Sequence, residues 1–186
     1  MTVCGKNMNP CGEPPAIALI NPKFPINVGN VIRLSSCYGF KQVWFTGNRV
    51  SIDPNLTKRL PREERMKGYK DVQIYHNDYF LDQFKNSTPV CIEITGSSEC
   101  LYDFKHPENP VYIFGPEDGG VPSVTRRHCH SFVSIPTKHC LNLNNAVHAV
   151  MQDRAYKEYV ETGVKCGLAE HRGWADSNDS LMVTKK

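Results

Sequence analysis

Three segments concentrate side chains able to do chemistry. Residues 140–145 read CLNLNN and place Asn142, Asn144 and Asn145 where a helix begins. Asparagine is a poor helix former, because its amide competes with the backbone for hydrogen bonds. One Asn can serve as an N-cap; the others need a different reason, and an amide that both donates and accepts suits a polar ligand. Residues 115–122 read GPEDGGVP, a glycine-rich turn carrying Glu117. It lacks the GxGxxG spacing of a dinucleotide fold and the GK[ST] of a P-loop, and reads equally as a tight turn or a ligand loop. Residues 27–33 combine Asn27 with Arg33 one and a half helical turns later. Asn27 suits a helix cap, and Arg33 lies off the apolar stripe.

These segments follow apolar runs that must position them. Residues 16–20 (AIALI), 42–46 (QVWFT), 90–95 (VCIEIT), 111–114 (VYIF) and 132–135 (FVSI) predict strands, and the wholly apolar ones suit a parallel sheet buried on both faces. Residues 72–75 are a weaker candidate. Val28, Val31, Ile32 and Ser35 recur at helical spacing, closed by Gly39, which predicts a helix over 27–38. Further helices are predicted near 61–66, over 78–84 with Asp78 as cap, over 122–129, and over 142–160 ending at Gly163. Residues 97–110 read as loop. This alternation predicts a single α/β domain on a largely parallel sheet with helices on both faces. Residues 1–15 form an N-terminal extension, 16–163 the domain, and 164–186 a C-terminal tail. In such sheets ligands sit beyond the carboxyl ends of the strands, where the three polar segments fall.

Composition narrows the class. The chain has 186 residues, 40% hydrophobic and 22% charged, ordinary for one globular domain. No apolar run approaches the roughly 18 residues of a membrane span, and the N-terminus lacks the apolar core of a secretory signal; a cytoplasmic location is expected. The eight cysteines then read as reduced thiols. Cys4 and Cys11 lack zinc-ligand spacing, and His128–Cys129–His130 and His139–Cys140 lack partner pairs, so no metal is expected. Residues 41–70 hold eight Lys or Arg against three acids, a local basic patch able to neutralise phosphates or simply a solvated surface segment.

In this order the three segments resemble the motifs of the SpoU–TrmH branch of the SPOUT methyltransferases. Asn21, Asn27, Val28, Gly29, Arg33 and Gly39 match the first motif. Residues 114–122 (FGPEDGGVP) match the second, and Ile135, Pro136 and 141–146 (LNLNNA) the third. The resemblance spans residues 16–159. It implies S-adenosylmethionine (SAM) as methyl donor, an RNA ribose 2′-hydroxyl as acceptor with tRNA favoured over rRNA, a C-terminal trefoil knot and a homodimer. It implies cofactor contacts from Ile94, Thr95 and Gly96, from Gly115, Glu117 and Gly120, and from Ile135, Thr137, Cys140, Leu141 and Asn142. Asn27, Arg33, Glu117 and Asn142 match positions tied to catalysis or to organising the site. Of the remaining asparagines, one of Asn144 and Asn145 is expected to brace neighbouring loops and the other to meet the dimer partner. Arg33, Lys58, Arg59, Arg62, Arg65 and Lys67 are expected to hold RNA. Two departures stand out: Cys140 occupies a position where relatives often carry Ser, and the loop before it is short. A non-catalytic RNA-binding protein of the same fold, or a base methyltransferase, are the alternatives.

Overall fold

The computed structural model describes residues 12–50 and 72–163. The helix expected near 61–66, the basic residues Lys58, Arg59, Arg62, Arg65 and Lys67, and the terminal segments lie outside these residues. Seven strands form one sheet: β1 (Ala16–Leu19), β2 (Gln42–Phe45), β3 (Gln73–His76), β4 (Thr88–Ile92), β5 (Glu99–Cys100), β6 (Pro110–Phe114) and β7 (Ser131–Ser134). Their order is β3-β2-β1-β6-β4-β7-β5, and every pairing is parallel. Among the described residues three α-helices accompany them: α1 (Pro25–Cys37), the four-residue α2 (Ser123–Arg126) and α3 (Leu143–Thr162).

The strands are apolar because both faces are covered. Alternation along β1 sends Ile17 and Leu19 towards α1 and α3, while Ala16 and Ala18 face the opposite side. β6 repeats the pattern, with Tyr112 and Phe114 on the helical side and Val111 and Ile113 on the other. α1 presents Val28, Val31 and Ile32 to the sheet, and α3 presents Leu143, Val147, Val150 and Met151. Both long helices therefore share one face. The second face is closed by Phe80 and Phe84 around the 3-10 turn Phe80–Gln83 and by Val121. Helices on both faces were expected; among the described residues only the short α2 and the 3-10 turn represent the second side.

Local chemistry explains the element ends. Gly39 sits at φ +76°, where a side chain is disfavoured, and lets Phe40 N–H bond back to Ser35 O at 2.8 Å. This left-handed stop ends α1 as expected. Asn142 caps α3, its Oδ1 accepting Asn144 N–H at 3.1 Å, and Gly163 ends it in the left-handed region. α1 starts at Pro25, two residues before the expected start, with Pro at its first position. Residues 78–84 form only the 3-10 turn; Asp78 accepts instead from Gly47 N–H at 2.7 Å. The two-residue β5 lies inside the stretch expected to be loop.

One buried polar network ties α3 to the connection before β6. His106 Nδ1 meets Tyr112 OH at 2.6 Å, and its Nε2 meets Asp153 at 2.8 Å. Burial pulls the imidazole pKa down against the opposing pull of Asp153. Lys157 donates to the carbonyls of Leu101 and Phe104. Met151, 1% exposed, belongs to the cluster joining α1, α3 and the sheet. Truncating Met151→Ala is expected to cost about 2–5 kcal/mol in denaturant unfolding; a loss under about 1 kcal/mol would contradict this packing.

Candidate active site at the strand carboxyl ends

The sheet order changes direction between β1 and β6: β2 and β3 extend one way, β4, β7 and β5 the other. Such a switch point leaves a crevice outside the carboxyl ends. Glu117, in the loop after β6, closes its floor. One carboxylate oxygen accepts Lys23 N–H at 2.7 Å. The other accepts Phe24 N–H at 3.3 Å and the Asn27 side-chain amide at 2.6 Å. An anion here satisfies backbone donors at the entrance to α1. Partial burial pushes its pKa up, but the bonds from Asn27 and from backbone N–H groups outweigh this and hold it below the ordinary carboxylate range. Asn27 is thus no cap. It lies inside α1, 4% exposed, and its amide faces Glu117.

A second link fixes the same loops. Arg49, after β2, grips Asp118 with two bonds of 2.9 and 2.8 Å, and Lys23 stands 3.3 Å from the same carboxylate. Arg49 is the main reason the Asp118 pKa falls to about 2. The neighbouring Asn21 stands at φ +42° and donates its N–H to Thr46 Oγ1 at 3.0 Å. The turns after β1, β2 and β6 therefore form one braced unit.

Beside it lies a cavity of about 390 Å³, within the roughly 300–1,000 Å³ of small-molecule sites. Turns after β4, β6 and β7 and the start of α3 surround it. Ile94, Gly115, Glu117, Gly120, Ile135, Thr137, Cys140 and Leu141 all line it. Thr95 and Gly96 do not; Thr95 lines a separate groove. Asn142 is absent from the lining too, although its neighbours Leu141 and Leu143 contribute. Two glycines keep the turn tight. A Cβ on Gly115 would stand 2.8 Å from the Gly120 carbonyl carbon, and one on Gly120 would stand 2.5 Å from Glu93 Oε2.

Glu93 is the cavity residue that sequence reasoning missed. Its carboxylate accepts Ile94 N–H at 3.1 Å and Val121 N–H at 2.8 Å, joining the turns after β4 and β6. The available signal was an acid within an otherwise apolar run, at the carboxyl end of a strand. Ile94 stands at the cavity with 72% of its surface exposed. An apolar side chain left open there is suited to pack against a bound ligand.

Arg33 does not reach this cavity. With Asn30, Leu34, Cys37 and Tyr38 of α1 and Asn144, Asn145 and His148 of α3, it lines a groove of about 720 Å³ along the two helices. Its guanidinium has no hydrogen bond or ion pair among the described residues. Asn144 donates to Asn145 Oδ1 at 3.3 Å, and neither side chain bonds to a neighbouring loop. Among the described residues, no group of three or more His, Cys, Asp or Glu is arranged to hold a metal, and no helix is long and apolar enough to cross a membrane.

The Asp118 bridge has a pH signature. A carboxyl depressed on folding stabilises the fold above its unfolded pKa, near 3.8, and that contribution is lost as pH falls through the folded value. Asp118→Asn is expected to melt below wild type at neutral pH, with the difference vanishing as pH falls from 3.8 to about 2. A difference independent of pH would contradict the bridge.

Comparison with known proteins agrees with this architecture. A profile of the SpoU rRNA methylase family matches residues 14–152. The chain is 26% identical over 157 residues to a tRNA (cytidine(34)-2′-O)-methyltransferase of Methylovorus glucosotrophus (strain SIP3-4), covering 77% of this chain and 94% of that protein. A structure described as giving insights into 2-OH methylation of C/U34 on tRNA superposes with TM-score 0.61 at 23% identity, over 78% of this chain and 96% of the other. The SpoU methyltransferase AviRb of Streptomyces viridochromogenes, in complex with AdoMet, superposes with TM-score 0.66 at 18% identity, over 86% and 67%. The TrmH/SpoU tRNA-modifying enzyme of A. aeolicus gives 0.64 at 16% identity, over 91% and 89%. With three-quarters of its length matched by the family profile, the chain belongs to the SpoU rRNA methylase family.

Proposed function

We propose that this chain transfers a methyl group from SAM to a ribose 2′-hydroxyl of tRNA, at nucleotide 34, with residues 16–163 as the methyltransferase domain. The observation that carries the reading is the cavity walled by the turns after β4, β6 and β7, in a chain matched by the family over residues 14–152. Nucleotide 34 comes from the curated relative. The family description names rRNA, which keeps ribosomal RNA as the second reading. The fit to SAM rests on the cavity. Its volume suits a small molecule, apolar Ile92, Val133 and Leu143 suit an adenine ring, and glycines 115 and 120 leave no Cβ between backbone and ligand. Thr137 and Cys140 offer polar edges. The turns after β4, β6 and β7 border one cavity, and the C-terminal trefoil knot of the proposed fold would hold the cofactor among them.

When bound, SAM supplies an electrophilic methyl group. The protein supplies orientation and electrostatics. Glu117 acts as a positioning residue. It wedges the cavity turn against the start of α1, and α1 carries Arg33. A guanidinium keeps its proton in a protein and offers a rigid planar set of donors, which unsuits it as a general base. The role of Arg33 is therefore a planar fork on the phosphate beside the target ribose, or on the developing alkoxide. Because Arg33 stands outside the cavity of its own chain, a second copy seated on the α1–α3 groove completes the site, and the enzyme acts as a homodimer. The exposed Phe24 and Ile26 near the start of α1 support an interface there. The protein works in the cytoplasm, and the basic residues Lys58, Arg59, Arg62, Arg65 and Lys67 add RNA affinity.

Methyl transfer to tRNA by wild type beside Arg33 variants tests the reading. Arg33→Ala is expected to lose at least about a hundredfold in kcat/KM with SAM affinity kept. Arg33→Lys is expected to give no rescue that grows with pH; such rescue would make Arg33 the base. Gly120→Ala is expected to weaken SAM binding in calorimetry by displacing Glu93. Unchanged affinity would remove that turn from the cofactor site.

A further inference from the structure

A second polar groove opens beside the cavity, on the α2 side of the sheet. It encloses about 370 Å³ and is lined by Thr95, Ser97, Ser123, Arg126, Arg127 and Phe132. Two guanidiniums and three hydroxyls face it, and no carboxylate does. We infer that this groove binds a phosphodiester of the RNA substrate through Arg126 and Arg127, the hydroxyls completing the oxygen contacts. The inference rests on the RNA-methylating reading above.

Three observations carry it. First, neither guanidinium has a hydrogen bond or ion pair among the described residues. Arg49 is held by Asp118, and Arg154 by the carbonyls of Pro107 and Glu108. Arginines held by no partner and grouped with hydroxyl donors match a phosphate, whose oxygens accept a planar fork. Second, the hydroxyl wall is braced. Thr95 N–H donates to Ser98 Oγ at 2.9 Å, Thr95 Oγ1 lies 2.8 Å from the same oxygen, and Ser98 Oγ donates to Glu93 O at 2.6 Å. Third, the groove continues the cavity. Ile94 and Gly120 line the cavity, while Thr95 and Ser123 line the groove, so a strand held here passes the proposed methyl donor. Glu93 braces both sites, accepting from Ile94 and Val121 with its carboxylate and from Ser98 with its carbonyl.

The test compares wild type with the double variant Arg126→Gln/Arg127→Gln and with Arg126→Lys/Arg127→Lys. tRNA affinity is measured by fluorescence anisotropy across a potassium chloride series, beside methyl-transfer kinetics at saturating SAM, SAM calorimetry and thermal unfolding. Losing the one phosphate contact reduces the slope of log affinity against log salt by about 0.7–0.9. The Gln variant is expected to raise KM for tRNA about tenfold, with kcat, SAM affinity and melting temperature kept, and the Lys variant to restore most of the salt slope. Unchanged tRNA affinity and slope in a folded Gln variant would overturn the groove and leave the methyltransferase reading standing. So would a fall in kcat at constant KM. A wild type that neither binds nor methylates RNA would overturn both.

Discussion

Glu117 is the point on which the site depends. Its carboxylate accepts two backbone N–H groups before α1 and the amide of Asn27 within it. It thereby joins the turn after β6 to the helix that follows β1, across the switch point of the sheet. The Asn27 amide, on a residue only 4% exposed, is costly to leave unpaired. The same residue lines the cavity. A single side chain thus couples the shape of the cavity to the position of α1 and Arg33. Asp118, next in sequence, extends the brace to Lys23 and Arg49, so adjacent carboxylates fasten three strand ends.

Physical constraints explain what was legible in the sequence. β1 and β6 were plain because both faces are buried and the runs are wholly apolar. Gly39 and Gly163 mark helix ends through local backbone chemistry. The three polar segments were legible because parallel sheets collect ligand loops at one edge. Most of the expected cavity residues do gather there, from Ile94 to Leu141.

The rest was hidden for a common reason: its meaning is non-local. Asn27 looked like a cap because capping needs only neighbours, whereas its partner Glu117 lies ninety positions away. Glu93 was absorbed into an apolar strand, although its carboxylate holds the turn 28 residues on. The two-residue β5 pairs through β7 and leaves almost no periodicity to read. Placing α1 and α3 on one face depends on crossover connections that a linear pattern does not encode. Asn144 and Asn145 line the Arg33 groove rather than bracing loops.

The position of the transferred methyl group tests most directly whether the cavity, the Glu117 brace and the helix-borne Arg33 make a ribose methyltransferase. Wild-type protein would be incubated with tRNA and SAM carrying a labelled methyl group, and the tRNA digested to nucleosides. The account predicts label in a 2′-O-methylated nucleoside from position 34. Label on a base would contradict the ribose assignment, and tRNA left unlabelled beside labelled ribosomal RNA would contradict the substrate.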